Sequence, residues 1–147
     1  MQARDFASVR ELLAPDVILR SPITASFHFQ GPDEVIELLR VVRDAYEELE
    51  YTAIFGSGDT WAQVFSTRVR GQEMEAVDVM RLDGEGRVCE FTVFFRPLPG
   101  LAALAAALAP EVAPTRPRAI AAKLLTRPLE LMTRSGERVV RSLAGRR

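Results

Sequence analysis

A carboxylate at position 78 is set apart from the other acidic residues of the chain by its apolar surroundings. Side chains alternate between the two faces of a β-strand, so the segment 73–82 places Asp78 among apolar residues. Its face holds Met74, Ala76, Asp78, Met80 and Leu82, whereas the opposite face holds Glu73, Glu75, Val77, Val79 and Arg81. Asp78 is therefore predicted to be a single acid on an otherwise apolar face.

The following segment, 87–96, supplies a second apolar face, which consists of Cys89, Phe91, Val93 and Phe95. If the two faces line one concavity, loss of hydration raises the pKa of Asp78. A protonated carboxyl could donate a hydrogen bond to a ligand oxygen or a developing oxyanion, and one with a shifted pKa could act as a general acid or base. The alternative is a structural role, in which Asp78 accepts a hydrogen bond from a backbone N–H, an arginine or the Trp61 indole.

Other side chains with possible chemistry give weaker signals. His28 is the only histidine; it could supply a base, but an exposed or structural position is expected for it. Cys89 is expected to be a small apolar strand residue rather than a reactive thiol. The sequence has neither the clustered ligands of a metal site nor a glycine-rich phosphate loop, so we expect no metal and no cofactor.

The elements that would position Asp78 follow from periodicity and turn residues. A short helix over 3–13 ends before Pro15, and extended pieces follow at 17–20 and 27–29. An amphipathic helix begins at Pro32 and is followed by strands over 60–70, 73–82 and 87–96. Its apolar face consists of Val35, Ile36, Leu38, Leu39, Val42 and Tyr46. Its hydrated face is predicted to consist of Glu34, Glu37, Arg40, Arg43, Asp44, Glu47 and Glu48. This order predicts an α+β domain with helices on one face of a curved antiparallel sheet.

Charge divides the chain into an acidic body and a basic tail. Residues 1–113 hold 10 arginines against 18 acidic residues, a net charge of −8, whereas residues 114–147 hold 9 basic against 2 acidic residues, a net charge of +7. Three prolines between 110 and 117 indicate a boundary. We predict an α+β domain over 1–98 and a helical, basic extension over 99–147, with helices at 101–108 and 117–143. Pro128 and Gly136 are expected to interrupt the second helix.

The basic tail has several possible partners. Docking on the acidic body, or on a second subunit, is favoured over a solvated tail, an anionic membrane surface or nucleic acid. The tail has no aromatic residue to stack on bases, so we expect no nucleic-acid partner.

No apolar run reaches the roughly 20 residues that span a bilayer. With one cysteine and no visible signal peptide, a cytoplasmic location is expected.

Residues 76–88, read Ala-Val-Asp-Val-Met-Arg-Leu-Asp-Gly-Glu-Gly-Arg-Val, resemble a strand of a known superfamily. Together with the preceding helix over 31–48 and the segment 91–97, they are similar to the SnoaL-like and ketosteroid isomerase branch of the nuclear transport factor 2-like superfamily. The resemblance covers roughly residues 3–98. It implies a cone-shaped, curved antiparallel sheet wrapped by helices around a pocket, a fold that hosts many different activities.

The resemblance assigns Asp78 to the carboxyl that ketosteroid isomerases use as a protonated oxyanion-hole donor. Two other residues of that site are not matched. The general-base aspartate of the isomerase precedes a proline, and here Ser21 precedes Pro22; the partner tyrosine would lie upstream of Met1. Ketosteroid isomerase activity is therefore not expected. SnoaL-type polyketide cyclases also use an acid in such a pocket, and Asp78 with His28 could supply an acid and a base.

The sequence predicts a homodimeric domain that binds a small apolar molecule in an enclosed pocket, with Asp78 as the candidate catalytic residue. Three hypotheses stay open: ligand binding without turnover, an isomerase or polyketide-cyclase-type enzyme that uses Asp78 as acid or oxyanion donor, and a non-catalytic dimeric scaffold that acts through its basic tail. The predicted pocket is lined by Trp61, Phe65, Ala76, Asp78, Met80, Phe91, Val93 and Phe95.

Overall fold

The computed structural model describes residues 5–111, 128–129, 131–133, 135–136, 138–140 and 142–144. Residues 5–111 form three helices and six strands. In chain order they are α1 (Phe6–Glu11), β1 (Leu13–Arg20), β2 (Phe29–Gln30), α2 (Gly31–Ala45), β3 (Glu48–Ser57), β4 (Thr60–Val69), β5 (Gln72–Leu82), β6 (Val88–Arg96) and α3 (Leu98–Leu108).

The six strands form one curved sheet in the order β2-β1-β6-β5-β4-β3. Strands β3 to β6 are joined as an antiparallel meander, and β1 adds to the β6 side in parallel. The predicted α+β class is thus confirmed, with one parallel pairing in a sheet that was expected to be wholly antiparallel. The three strands predicted near 60–70, 73–82 and 87–96 are confirmed as β4, β5 and β6.

Strand β3 was not predicted, because its sequence departs from strict alternation. Its pairing with β4 shifts register between Tyr51 and Ala53, where one extra residue forms a bulge. Leu49 and Tyr51 lie opposite Thr67 and Phe65, but beyond the bulge it is Ile54 that returns to this face. A pattern of period two therefore fails in the middle of the strand.

The first helix is shorter than predicted. It begins after Asp5, whose carboxylate accepts a hydrogen bond from the Ser8 backbone N–H at 3.0 Å, as an N-cap residue does. It ends at Glu11, and β1 has already begun at Leu13, so Pro15 lies near the start of a strand, where proline is tolerated. Residues 3 and 4 of the predicted helix lie outside the described residues.

Two buried clusters attach the helices to one face of the sheet. In the first, Val35, Ile36 and Leu38 of α2 pack against β1, and Phe91 of β6 lies beside them. In the second, Leu104 and Leu108 of α3 pack against β4 and β5, and Phe95 lies beside them. Because Phe91 and Phe95 belong to the face predicted to carry Asp78, the helices cover that face.

Helix α3 lies very close to β5. It begins at Leu98 rather than at the predicted residue 101, and a Cβ added to Gly100 would lie 2.7 Å from the Cβ of Met74. Only glycine allows this approach without movement of the strand or helix. The predicted domain boundary after residue 98 stays a prediction. Helix α3 begins at that boundary and packs onto the sheet.

The described residues from 128 to 143 are helical, and the predicted interruptions at Pro128 and Gly136 adjoin residues 127 and 137, which lie outside the described residues. Residues 117–127 of the predicted tail helix lie outside the described residues. Leu131, Val139 and Leu143 expose more than half of their surface. Within the described part of the chain, no helix is long and apolar enough to cross a membrane.

The other face of the sheet has an apolar centre and a charged rim. Phe55 and Phe94 are 57% and 56% exposed there, and the half-buried valines 64, 77 and 79 share this face. Ion pairs lie around them, among them Arg96–Glu75 at 2.7 Å and Arg20–Glu90 at 3.1 Å. An exposed apolar patch with a polar rim is typical of an interaction surface.

Candidate functional site

Strands β4, β5 and β6 bring all eight predicted pocket residues onto one face of the sheet, because residues directly opposite each other in antiparallel strands share a face. Asp78 lies opposite Gln63 on one side and Val93 on the other. The neighbouring rows are Phe65–Ala76–Phe95 and Trp61–Met80–Phe91. Asp78 is therefore the centre of three rows of side chains.

The side chains on this face become more exposed from Phe65 towards Trp61. Asp78 is 6% exposed, and its neighbours Phe65 and Ala76 are buried. Met80, Phe91, Val93 and Phe95 are half-buried. Trp61 lies at the outer end, 38% exposed, and its indole Nε1 donates to the Gly58 carbonyl at 3.2 Å. The face thus passes from a buried carboxyl to a partly open aromatic end.

The hydrogen-bond partner of Asp78 is a neutral amide. Gln63 Nε2 donates to Asp78 Oδ2 at 2.9 Å, and the Trp61 indole, a candidate from the sequence, bonds elsewhere. No ion pair of the described residues includes Asp78. Burial therefore dominates and raises its pKa to about 6, and the Gln63 hydrogen bond opposes this shift only in part. The carboxyl can gain or lose a proton near neutral pH.

Two tyrosines near this carboxyl were not identified as site residues from the sequence. Tyr46, at the end of α2, and Tyr51, on β3, contact the Phe65 ring with centroid separations of 6.1 and 5.7 Å. Burial raises the pKa of both hydroxyls, and the negative charge of Asp78 raises it further. Both phenols therefore stay protonated and can donate hydrogen bonds. The bulge in β3 concealed Tyr51, and Tyr46 was interpreted only as an apolar helix residue.

Arg43 does not lie on the solvated side of α2 as predicted. It was assigned to the hydrated face of α2 because of its charge, yet it is half-buried, and its Nε is buried without a hydrogen-bond partner among the described residues. Helical spacing could have revealed this, since Arg43 follows Leu39 by four residues and precedes Tyr46 by three. Both of those residues pack against the core.

The remaining candidates from the sequence do not join Asp78. His28 is exposed, and the described residues contain no hydrogen bond between it and Asp78. Cys89 lies where the β5–β6 register shifts, and its Sγ donates to the Arg81 carbonyl at 3.4 Å. The Ser21 hydroxyl oxygen accepts from the Ile23 backbone N–H at 3.2 Å. Within the ranges that the structure describes, no group of three or more histidines, cysteines or acids could hold a metal ion.

A separate open groove of about 880 Å³ lies at the other end of the central strands. Its walls include Glu48, Glu50, Arg68, Glu73 and Glu75, and none of the eight predicted pocket residues. Arg68 is already paired with Glu48 and Glu73. The groove offers mostly solvated charges, and the enclosed pocket around Asp78 stays a prediction.

Solved structures of similar proteins share this architecture. A steroid delta-isomerase from Pseudomonas aeruginosa is 32% identical with a TM-score of 0.69, over 74% of this chain and 80% of that one. An uncharacterised bacterial protein with a cystatin-like fold from Silicibacter pomeroyi is 31% identical with a TM-score of 0.68, over 71% and 73%. A putative SnoaL-like polyketide cyclase from Jannaschia, 17% identical with a TM-score of 0.58 over 69% and 81%, shows the fold alone. No curated protein matches the chain.

The sequence profile of the SnoaL-like domain matches residues 1–91, which include α1, α2 and most of the sheet. The resemblance seen in residues 76–88 is thereby confirmed, and the helices and curved sheet are those of the nuclear transport factor 2-like fold. The chain belongs to the SnoaL-like domain family.

Proposed function

We propose that this domain binds a small apolar molecule against the face of the sheet that carries Asp78, and that the carboxyl holds an oxygen atom of that molecule. One observation carries the proposal: Asp78 is 6% exposed and is bonded to a neutral amide in otherwise apolar surroundings. A buried acid costs stability unless it is paired or coordinated. A shifted pKa in such surroundings is more common at functional sites than elsewhere.

The first test is native mass spectrometry of freshly purified protein. We expect the wild type to carry a small molecule that is absent from Asp78→Leu, because leucine has the same branching at Cγ with methyl groups in place of the two oxygens. Glu73→Leu is the matched control, since it removes an exposed carboxylate from the other face of the same strand. A bound molecule that survives in Asp78→Leu would contradict the role of Asp78, and empty protein in every sample would favour the scaffold hypothesis.

A proton-transfer enzyme of isomerase or polyketide-cyclase type is the second candidate. Two observations favour it: the pKa of Asp78 is raised to about 6, and the chain is 32% identical to a steroid delta-isomerase. The site includes neutral phenols at Tyr46 and Tyr51 that could stabilise a developing oxyanion. No second carboxylate accompanies Asp78 among its cross-strand neighbours Gln63 and Val93, so one acid would have to take and return the proton.

We also propose that two copies of the chain associate through the apolar outer face of the sheet. The exposed Phe55 and Phe94 and the valines between them support this, because burial in a partner would remove apolar surface from water. Phe94→Arg is expected to convert a dimer to a monomer, as measured by light scattering during size-exclusion chromatography. Leu12→Arg, which alters an equally exposed residue beside α1, is expected to leave the dimer intact. A monomeric wild type would contradict the proposal.

A further inference from the structure

Arg43 lies on the apolar stripe of α2 rather than on its solvated side. Ile36, Leu39, Arg43 and Tyr46 follow each other at steps of three, four and three residues, which is the spacing of one helix face. Ile36 is 5% exposed, and Leu39 and Tyr46 pack against the two core clusters. A cation on this stripe is directed towards the covered face of the sheet.

The guanidinium has unused hydrogen-bonding capacity there. Among the described residues, its Nε is buried without a hydrogen-bond partner and no ion pair includes Arg43. Buried polar atoms in folded proteins nearly always have a partner, and an unpartnered donor is costly. Arg40, one turn earlier, makes a different contact: its guanidinium carbon lies 5.4 Å from the centroid of the Phe6 ring, in a cation–π arrangement.

The surroundings of Arg43 include the residues that accompany Asp78. Its positive charge lowers the pKa of Tyr51, whereas the charge of Asp78 raises it. Tyr51 is therefore near enough to respond to both charges. Tyr51 and Tyr46 both contact the Phe65 ring, which lies in the row next to Asp78. Arg43 and two neutral phenols thus supply hydrogen-bond donors beside the proposed binding face.

We infer that the molecule held on this face is an apolar acid whose carboxylate is bound by Arg43, while its apolar body lies along the aromatic side chains. This inference rests on the proposed function and names the class of its ligand. The planar guanidinium suits a carboxylate because two parallel N–H groups can donate to its two oxygens. A bound carboxylate would also partner the donor that is now unpaired.

The test compares 2-naphthoate with uncharged 2-naphthamide, two probes of similar shape, by isothermal titration calorimetry at about pH 5.5, where Asp78 is mostly protonated because its pKa is about 6. We expect the wild type to bind the naphthoate at least about tenfold more tightly, because a hydrogen bond to a charged group is worth that much. Arg43→Met should abolish or reverse the preference, and Arg43→Lys should keep part of it. Arg40→Met, a matched change on the same helix, should keep all of it.

The possible outcomes separate this inference from the proposed function. Equal binding of the two probes, or a preference that survives Arg43→Met, would overturn the carboxylate subsite and leave the apolar binding face standing. Failure of both probes to bind the wild type would count against the proposed function, and the inference would fall with it.

A second measurement does not depend on the probes. A ligand-binding arginine destabilises the empty site, so Arg43→Met is expected to raise the melting temperature of ligand-free protein by about 2–4 °C. A lower melting temperature would mean that Arg43 stabilises the fold, and would contradict the inference.

Discussion

Asp78→Asn is expected to make the folded protein more stable than the wild type at pH 8, and to have little effect on stability at pH 4. The two side chains have nearly the same shape, and the asparagine oxygen can still accept the hydrogen bond from Gln63. The difference between the two proteins therefore comes from the ionisation of one buried carboxyl.

The pH range follows from the two pKa values of that carboxyl. Its pKa is about 6 in the folded protein and 3.8 in the absence of burial. Below pH 3.8 both states are protonated and burial of the charge costs nothing. Between pH 3.8 and 6 the unfolded chain loses its proton first, so the free energy of unfolding falls as the pH rises. The full loss, about 3 kcal/mol, is reached above pH 6.

Urea denaturation of wild type and Asp78→Asn at intervals between pH 4 and 8 measures this difference. Asp83→Asn provides a control of opposite sign, because backbone N–H donors from Arg87 and Glu85 lower the pKa of Asp83. That substitution should destabilise the protein more at pH 7 than at low pH. A stability difference for Asp78→Asn that did not change between pH 4 and 8 would contradict the assigned burial of the carboxyl.

The same variant distinguishes binding from catalysis. If Asp78 transfers a proton, Asp78→Asn should abolish turnover while the fold persists, because an amide does not exchange protons as a carboxyl does. If the domain only binds, wild type and variant should both lack turnover and differ in affinity. The wild type should then bind a ligand with an acceptor oxygen less well as the pH rises through 6, whereas the variant should show no such change.

Leu104→Ala is expected to lower the free energy of unfolding by about 2–5 kcal/mol, the usual cost of a cavity in a packed core. Leu104 is 1% exposed and belongs to the cluster with Val69, Met74 and Leu108. It lies beyond residue 98, where the sequence predicted the domain to end. A large loss would therefore show that α3 is part of the cooperative folding unit.

The matched change is Leu131→Ala, in the helical tail, where the side chain is 63% exposed. Surface substitutions usually change stability by less than about 0.5 kcal/mol, so this variant should unfold with the wild type in the same urea titration. A loss for Leu131→Ala as large as that for Leu104→Ala would mean that the tail packs against a surface of its own or of another copy.

The central strands could be predicted because they follow regular patterns. Strand β5 alternates without interruption from Met74 to Leu82, so one rule was enough to place Asp78 on an apolar face. The same rule grouped Phe91 and Phe95 on one face of β6, whereas the pairing of β4 with β5 in the structure was needed to place Phe65 beside them. Regular spacing thus determined the rows of the candidate site.

The residues that were missed depart from those patterns. The bulge after Tyr51 breaks the alternation of β3, and a charge on Arg43 outweighed the helical spacing that places it with Leu39 and Tyr46. The extent of α3 was underestimated because its contact with β5 depends on Gly100 and Met74, which are distant in sequence. Burial and partnering of these residues follow from tertiary contacts that local spacing does not contain.

The amide of Gln63 gives the site an adaptability that a charged partner would not. The Gln63 N–H can donate to Asp78 Oδ2 whether the carboxyl is ionised or protonated, so the other oxygen is left to accept a hydrogen bond when ionised and to donate one when protonated. The binding face can therefore present an acceptor to a ligand alcohol or a donor to a ligand ketone with no change of sequence. Relatives that retain this Asp–Gln pair could exchange ligands of opposite hydrogen-bonding character by altering only the apolar residues around it.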